Sequence, residues 1–586
     1  MNAVMTFKMR LILCAAIFAC FLTLTDVLRA GTPLRVFTAK SIITMDRSLP
    51  LADAVAVAEG RIVTVGSLAS MGAWLESREH VIDDRFKDKV LLPGLIDNHL
   101  HPLLAATLLN TVWITPHEWD LPGLRVERTR GREDYLAAVS AALDASTTLS
   151  DQPFISWGYH ETWHGLVRRA DLDEISSERP IILWQRSFHE IIVNTAGLRW
   201  MGFDPETDEA PEEVDFQSGR FSERGLLVAL KPVAAYLLTP ERLALGLARV
   251  KDIVWRGGIT TIADMGLGGY FGFEAELAAQ KAVFDTPDTP FREILIPAVI
   301  DPTPESGLES LVETFMGYQD LSSDKLRVPQ QVKLLADGAF FAQYMQMNPP
   351  GYIDGHEGKW LTTPEDFAPA VRAFWNQGFQ INVHVNGDQG LDMVLDTLAM
   401  LLDKKPRFDH RFTLHHVGYS TNDQLRRAAS LGVVISAQPY YLWALGDAYA
   451  QHGLGYDRAS QMSRIGAMFA NGIPVSLHSD FTMAPAAPLT LAWVAVNRTT
   501  AKGNLMAPEE RVSVEQALRA ITIDAAFVLR MENEIGSIVA GKRADFTVLE
   551  QNPYEVPASQ LKDIGIWGTV FEGRVFPFRP TDPQAN

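Results

Sequence analysis

The length, composition and charge of the chain already exclude several classes of protein. At 586 residues it is longer than one average domain, although a barrel with insertions can hold more than about 400 residues. With 47% hydrophobic and 21% charged residues, its composition is typical of a globular protein with a sizeable core. The formal charge of −19 repels nucleic acid, so we expect no nucleic-acid partner.

The first 30 residues have the layout of a secretory signal peptide. Lys8 and Arg10 precede an apolar stretch at 11–24, and small residues follow it. The apolar stretch is short for a membrane span, but Leu28 occupies a position where cleavage favours a small residue, so an uncleaved anchor is the alternative. We expect export, to the periplasm or the exterior, with membrane contact only through this segment.

Both cysteines of the chain, Cys14 and Cys20, lie within this N-terminal segment. The mature chain would therefore contain no cysteine. This excludes a disulfide, a thiol nucleophile and a thiolate metal site.

Short β-strands are predicted at both ends of the remaining chain. Alternating apolar residues occur in 31–89, with a Glu59-Gly60 turn between two runs, and again in 530–586. We expect the two segments to pair into one small β-sandwich, with two unrelated hairpins as the alternative.

Residues 90–529 predict a (β/α)8 TIM barrel. Apolar segments rich in β-forming residues alternate there with helical patterns, which is typical of parallel βα units, and eight such strands close a barrel. The segment from about 103 to 245 is too long for one helix, so we expect an inserted subdomain. The eight predicted strands are 90–99, 259–265, 291–300, 331–337, 379–385, 411–416, 432–438 and 473–480.

A His-x-His pair stands at the end of the first predicted strand. His99 and His101 are two residues apart, so their side chains point to the same face, as two ligands of one metal must. Such a pair alone is weak evidence. Pro102 follows at once, which puts the pair at the barrel mouth, where this fold keeps its sites.

Lys333 lies in the apolar segment VKLLAD. An ammonium group inside a barrel is costly unless it is paired or neutralised. Carbamylation by carbon dioxide would turn this amine into a carboxylate able to bridge two metals. An ion pair with a barrel carboxylate is an equal alternative.

Other predicted strands also end on residues that bind metals. His384 is the next-to-last residue of FQINVHV, His415 and His416 end RFTLHH, and Asp480 ends IPVSLHSD. Because adjacent strand residues face opposite ways, we expect one of the two neighbouring histidines to face the barrel interior. Together these strand ends predict a metal site.

These segments resemble those of the amidohydrolase superfamily. LLPGLIDNHLHP resembles its first-strand signature, and GSIVAGKRADFTVLE resembles the segment with which its members return to their β-sandwich. GGITTIADMG, VKLLADG, VHVNGDQG and HSDFTMAP lie between them in the order of the superfamily. The closer likeness is to the amidohydrolase-3 branch, which includes the N-substituted formamide deformylases. That branch has a stretch similar to SFHEIIVNTAGL, so the resemblance implies a substrate-binding role for His189.

The resemblance implies two metal sites that share six ligands. It assigns His99, His101 and Asp480 to one metal, His384 and His416 to a second, and carbamylated Lys333 between them. Zinc is the ion expected first, with one or two divalent ions per chain. Two residues depart from the branch, because His415 stands where Glu is usual and His478 where Gly is usual. These extra imidazoles leave the number of metals open.

The resemblance also implies the reaction. We expect hydrolysis of a carbon–nitrogen bond, other than a peptide bond, in a small amide-type substrate by metal-activated hydroxide. Asp480 would be the catalytic residue that accepts the proton of water and passes it to the departing nitrogen. A deaminase, a hydrolase of cyclic amides and, less strongly, a non-catalytic binding protein are the alternatives. The sequence leaves a homo-oligomer open.

Overall fold

The computed structural model describes residues 33–146, 152–188 and 190–578. The predicted signal peptide and His189 lie outside the described residues. Within the described ranges, no helix combines the length and the apolar character needed to cross a bilayer.

The two ends of the chain pair in one seven-stranded sheet. Strand Phe546–Leu549 runs antiparallel to residues 90–93 of strand His80–Pro93, so the predicted pairing of the chain ends is confirmed. Phe37, Phe86 and Phe546 pack together in the core of this sheet. The strands lie in the order Arg574–Pro577, Ile566–Phe571, Phe546–Leu549, His80–Pro93, Leu34–Ile43, Leu51–Ala58 and Arg61–Gly66.

Gly94 separates this sheet from the first parallel strand. The single strand predicted at 90–99 is wrong here, because residues 90–93 pair with the terminal sheet whereas Leu95–Leu100 pairs with Ile259–Leu267. A Cβ atom at Gly94 would lie 2.0 Å from Oγ1 of Thr260. Only glycine permits this close approach of the two strands.

A parallel strand overlaps each of the eight predicted segments, and two of these strands, Leu95–Leu100 and Ile259–Leu267, extend beyond their segments. The first three, Leu95–Leu100, Ile259–Leu267 and Arg292–Pro297, form one sheet with Leu326–Arg327, and the other five form a second sheet. Backbone hydrogen bonds join the two sheets at both edges, from Val299 N–H to Lys333 O and from Asp480 N–H to His99 O, each 2.9 Å long. The strands are β1 Leu95–Leu100, β2 Ile259–Leu267, β3 Arg292–Pro297, β4 Gln331–Leu335, β5 Gln380–Val385, β6 Thr413–His416, β7 Val434–Ala437 and β8 Val475–Leu477.

Helices connect these strands. The gaps 386–410 and 417–431 contain the helices Asp388–Lys404 and Asn422–Ser430. The other helices around the parallel strands are Pro102–Leu108, Pro240–Arg256, Phe273–Phe284, Leu308–Gly317, Pro364–Asn376, Tyr440–Ala448, Tyr456–Ser460, Ile465–Ala470, Pro488–Asn497, Val514–Ala520 and Ile523–Val528.

A six-stranded sheet follows β1. Its strands lie in the order Val214–Asp215, Arg220–Ser222, Glu190–Val193, Ile181–Gln185, Phe154–Tyr159 and Val112–Trp113. Helices Arg132–Ala145, Arg169–Ile175 and Thr195–Trp200 accompany it. Helix Glu223–Leu237, called the pocket helix below, then leads towards β2.

A buried ion pair ties the terminal sheet to the parallel strands. Arg292 at the start of β3 donates from Nη1 to Oδ2 of Asp545 at 2.5 Å, and both side chains are buried. The same guanidinium atom lies 3.1 Å from Oγ1 of Thr261 on β2. Oδ1 of Asp545 accepts a hydrogen bond from Glu572 N–H at 2.8 Å. The carboxylate of Asp545 thus connects its own segment with the segments that contain Arg292 and Glu572.

Removing this carboxylate should destabilise the protein. We expect Asp545→Ala to lower the free energy of unfolding by about 3–5 kcal/mol, because the buried Arg292 loses its short carboxylate partner and keeps only the longer contact with Glu572 at 3.4 Å. Urea unfolding followed by circular dichroism measures the change. The matched control is Asp288→Ala, which removes the partner of Arg574 in an exposed pair 3.0 Å long and should cost less than about 1 kcal/mol. Equal effects of the two substitutions would contradict this assignment.

Candidate active site

All six side chains proposed as metal ligands line one cavity. The cavity lies beyond the carboxyl ends of the parallel strands, where active sites of parallel α/β proteins are found. The six are His99, His101, Lys333, His384, His416 and Asp480.

Three of the six form a compact group. Oδ1 of Asp480 lies 3.3 Å from Nε2 of His101 and 3.6 Å from Nε2 of His99. Candidate ligand atoms of the three residues all lie within 4.8 Å of one another. This donor set of two imidazoles and one carboxylate suits a divalent transition metal, zinc among them.

A second group contains a histidine that was not predicted as a ligand. Ligand atoms of His99, His416 and His478 lie within the same 4.8 Å limit. His384 belongs to neither group, although its ring centroid is 4.6 Å from that of His416. The geometry therefore offers His478 as well as His384 as a neighbour of His416.

Both neighbouring histidines at the end of β6 approach His99, contrary to the expectation that only one would face inward. The ring centroids of His415 and His416 lie 4.7 Å and 4.8 Å from that of His99. His416 has a φ of 75°, so the regular alternation of the strand ends at this residue. Its side chain turns back towards the same space as that of His415.

The two residues that depart from the branch pattern hold other histidines in place. Nδ1 of His415 lies 2.8 Å from Nδ1 of His99, and its Nε2 lies 3.1 Å from Oδ1 of Asn382. Nε2 of His478 lies 3.1 Å from Nδ1 of His416, and its Nδ1 lies 2.8 Å from Oγ of Ser436. Such contacts fix the orientation of the ring nitrogens of a metal ligand.

Burial keeps these imidazoles uncharged. It lowers the pKa of His99, His415 and His416 well below the usual value, and it lowers the pKa of His478 to about 3. A neutral imidazole has a lone pair for a metal, whereas a protonated one has none.

The carboxyl group of Asp480 is ionised. Burial raises its pKa, but the hydrogen bond and the electrostatic interaction with His101 act against burial and leave the pKa below the usual value. The residue has a φ of 53°, a left-handed conformation that non-glycine residues rarely adopt. A strained backbone at this position is typical of functional sites.

Lys333 has a buried amine without a hydrogen-bond partner among the described residues. Burial lowers the pKa of this amine to about 7, against the opposing charge of Asp480. A substantial fraction is therefore neutral at neutral pH. The ion-pair alternative would need a hydrogen-bonded carboxylate, and the described residues provide none.

Asp264, in the second half of β2, was not among the predicted site residues. Its Oδ1 lies 3.9 Å from Nδ1 of His101, and Gln280 donates to its Oδ2 at 2.7 Å. Burial raises the pKa of this carboxyl to about 7. The sequence contained a signal for it, because Asp264 is the next-to-last residue of the segment ITTIADM, and several other site residues also lie at or near the ends of their predicted strands.

A buried arginine supports the segment that follows Asp480. Nη2 of Arg186 donates to the carbonyl of Met483 at 3.1 Å. Its guanidinium lies over the rings of Trp119, Trp157 and Phe341. The sequence gives no signal for this contact, because it joins residues 297 positions apart.

Comparisons with known proteins identify the family of this chain. A model described as Amidohydrolase family matches residues 86–577. Protein LONG AFTER FAR-RED 3 of Arabidopsis thaliana is 27% identical, over 88% of this chain and 87% of that protein. N-substituted formamide deformylase of Arthrobacter pascens is 25% identical, over 91% and 96% of the two chains.

The fold also resembles that of a solved protein. The crystal structure of an uncharacterized metal-dependent hydrolase from Pyrococcus horikoshii has a TM-score of 0.69 and 18% identity, covering 90% of this chain and 99% of that one. The matches span nearly the whole described chain and confirm both the predicted branch and the prediction of an enzyme. This chain belongs to the amidohydrolase family and is a hydrolase.

Proposed function

We propose that this protein is an exported, metal-dependent amidohydrolase that hydrolyses an amide-type carbon–nitrogen bond of a small molecule. The observation that carries the proposal is the group formed by His99, His101 and Asp480 beside the buried amine of Lys333. Export rests on the N-terminal sequence alone. Any contact with a membrane would involve the same segment.

We infer that the two parallel sheets close into a (β/α)8 barrel. The hydrogen bonds from Val299 to Lys333 and from Asp480 to His99 support closure at both edges. In this arrangement the six-stranded sheet belongs to the insertion after the first barrel strand. The terminal sheet would fold over its aromatic core as a small β-sandwich.

We assign His99, His101 and Asp480 to one divalent ion. A second ion would be held by His384 and His416, with carbamylated Lys333 shared between the two. The contact of His478 with His416 supports a variant in which His478 takes part in the second site. A divalent ion bound there would supply a Lewis acid for the carbonyl oxygen and would lower the pKa of bound water to about 7.

The proton transfers fall to Asp480. Its carboxylate is ionised and can accept a proton from the attacking water, then return it to the nitrogen of the departing amine. His101 holds the carboxylate through the contact at 3.3 Å. Arg186 fixes the following segment through the carbonyl of Met483, which keeps the carboxylate aimed at the cavity.

Replacing this carboxylate should abolish turnover. We expect Asp480→Asn to lower kcat by about 10²–10⁴ on any amide that the wild type cleaves, because the amide side chain cannot accept the proton. Amine release measures activity, and circular dichroism and metal analysis report the fold and the bound ion. The control is Asp423→Asn, at an exposed carboxylate on helix Asn422–Ser430. Retained activity in Asp480→Asn would refute the role.

Metal loading should depend on carbon dioxide and on pH. Only the neutral amine of Lys333 reacts with carbon dioxide, and its pKa is about 7, so we expect bicarbonate to promote loading of metal-free protein at about pH 8 and much less at about pH 6. His99 and His416 do not explain this dependence, because burial keeps their pKa values well below the usual range. Metal content after gel filtration measures loading.

Lys333→Ala provides the control for this experiment. The variant should show no effect of bicarbonate, and added acetate should restore part of its metal content by replacing the missing carboxylate. If bicarbonate promotes loading of the variant as strongly as loading of the wild type, Lys333 is not the carbamylated group.

A further inference from the structure

The cavity beside the proposed metal ligands has an apolar wall. Its volume is about 460 Å³, within the usual range of about 300–1,000 Å³ for small-molecule sites. Apart from the six proposed ligands, the described residues that line it include no charged side chain. The charged groups of the described lining are therefore confined to the proposed ligands, and the other polar side chains there are uncharged, among them Thr107, Ser187, Tyr270, Tyr441 and Thr482.

The pocket helix supplies one side of this wall. Leu230, Val233 and Leu237 lie on one helical face, three or four residues apart, and all three line the cavity. Val233 and Leu237 are fully buried, whereas Val228 of the same helix is 38% exposed and does not line the cavity. The helix thus presents aliphatic side chains to whatever occupies the space.

The apolar surface continues to the mouth. Phe271 and Ile300 line the cavity and are exposed, Ile300 to 58%. The buried carboxylate of Glu276 accepts hydrogen bonds from the backbone N–H groups of Gly268, Tyr270 and Phe271 at 2.6 to 2.8 Å. These bonds hold the loop after β2 in place, so Phe271 is a fixed part of the rim.

We propose that the substrate is an uncharged amide with a bulky apolar group, an aryl or branched alkyl group, and that this cavity selects it. This assignment rests on the function proposed above. An apolar group gains free energy when it leaves water for this wall, whereas a carboxylate or an ammonium group there would be desolvated without a partner. Specificity follows from that difference.

The reaction also favours release of the products. The oxygen of water bonds to the carbonyl carbon, the carbon–nitrogen bond breaks, and the nitrogen takes up a proton. At neutral pH an aliphatic amide yields a carboxylate and an ammonium ion. Both products are charged, and an apolar cavity binds them less well than the neutral substrate.

Two matched pairs of amides test the proposal on the metal-loaded enzyme. One pair is N-benzylacetamide and its para-carboxy derivative. The other is N-methyl-2-phenylacetamide and its para-carboxy derivative. For at least one pair, we expect kcat/KM of the neutral member to exceed that of the carboxylate by on the order of 100-fold, as with other mismatches between a polar group and a site. Equal rates, or faster cleavage of the carboxylates, would overturn it.

Substitutions in the wall should change this preference. We expect Leu230→Lys to lower the ratio of neutral to carboxylate turnover by about tenfold or more, because the new ammonium group gives the carboxylate a partner. Val228→Lys, on the same helix but away from the cavity, should leave the ratio unchanged. An unchanged ratio in folded Leu230→Lys would contradict the assignment.

A second pair of variants covers the case in which Leu230→Lys does not fold. Ile300→Lys adds a charge at the exposed mouth, and Ile353→Lys adds one at a residue that is 54% exposed and does not line this cavity. We expect only Ile300→Lys to lower the ratio. The same ratio in both variants would count against the proposed substrate path.

Binding measurements separate this proposal from the proposed function. Benzylacetone is a ketone isostere of N-benzylacetamide that cannot be hydrolysed, and calorimetry compares it with its para-carboxy derivative. Tighter binding of the neutral ketone without cleavage of any amide would refute the function and support the cavity assignment. Cleavage of amides without a preference for neutral ones would support the proposed function and refute the cavity assignment. If no amide is cleaved and the neutral ketone binds no more tightly than its carboxylate, both proposals are refuted.

Discussion

The arrangement of this molecule depends on burying uncharged imidazoles against one ionised carboxylate. Burial prevents His99, His416 and His478 from taking up the second ring proton that would charge them, and Asp480 keeps its charge because His101 contacts it. Without a cation, this group leaves a carboxylate among neutral rings in a poorly solvated space. A divalent ion would satisfy the carboxylate and the lone pairs together, so the electrostatics of the site favour metal binding.

Keeping these groups together requires that strands distant in sequence end at one place. Asp480 N–H donates to His99 O at 2.9 Å, and the N–H of Ser479 donates to Oδ1 of Asp97 at 3.0 Å, so the ends of β1 and β8 are fixed to each other. Gly94 has no side chain, so the backbone between the terminal sheet and β1 can pass close to Thr260. The terminal sheet therefore helps to set the direction in which the first two histidines approach the site.

Local periodicity in the sequence was enough to predict the strands and the candidate ligands. Features that arise from contacts between distant segments could not be predicted in this way. The eight strand segments follow from apolar runs and the ligand candidates from their ends, so both could be read directly. The expectation that adjacent strand residues face opposite ways was wrong for His415 and His416. The backbone at His416 has a φ of 75°, which local sequence did not indicate. The role of Arg186 was invisible, since nothing near it in sequence indicates Met483.

The proposed metal ligands and the apolar wall of the cavity lie on different elements of this fold. The proposed ligands stand at strand ends, where the hydrogen-bonded sheets restrict movement, whereas the pocket helix and the rim at Phe271 come from connections between strands. Connections tolerate substitution better than strands that hold ligands in register. Because the wall contributes none of the proposed ligands, its side chains can change without disturbing His99 or Asp480, and substrate preference can vary while the proposed proton-transfer group stays fixed.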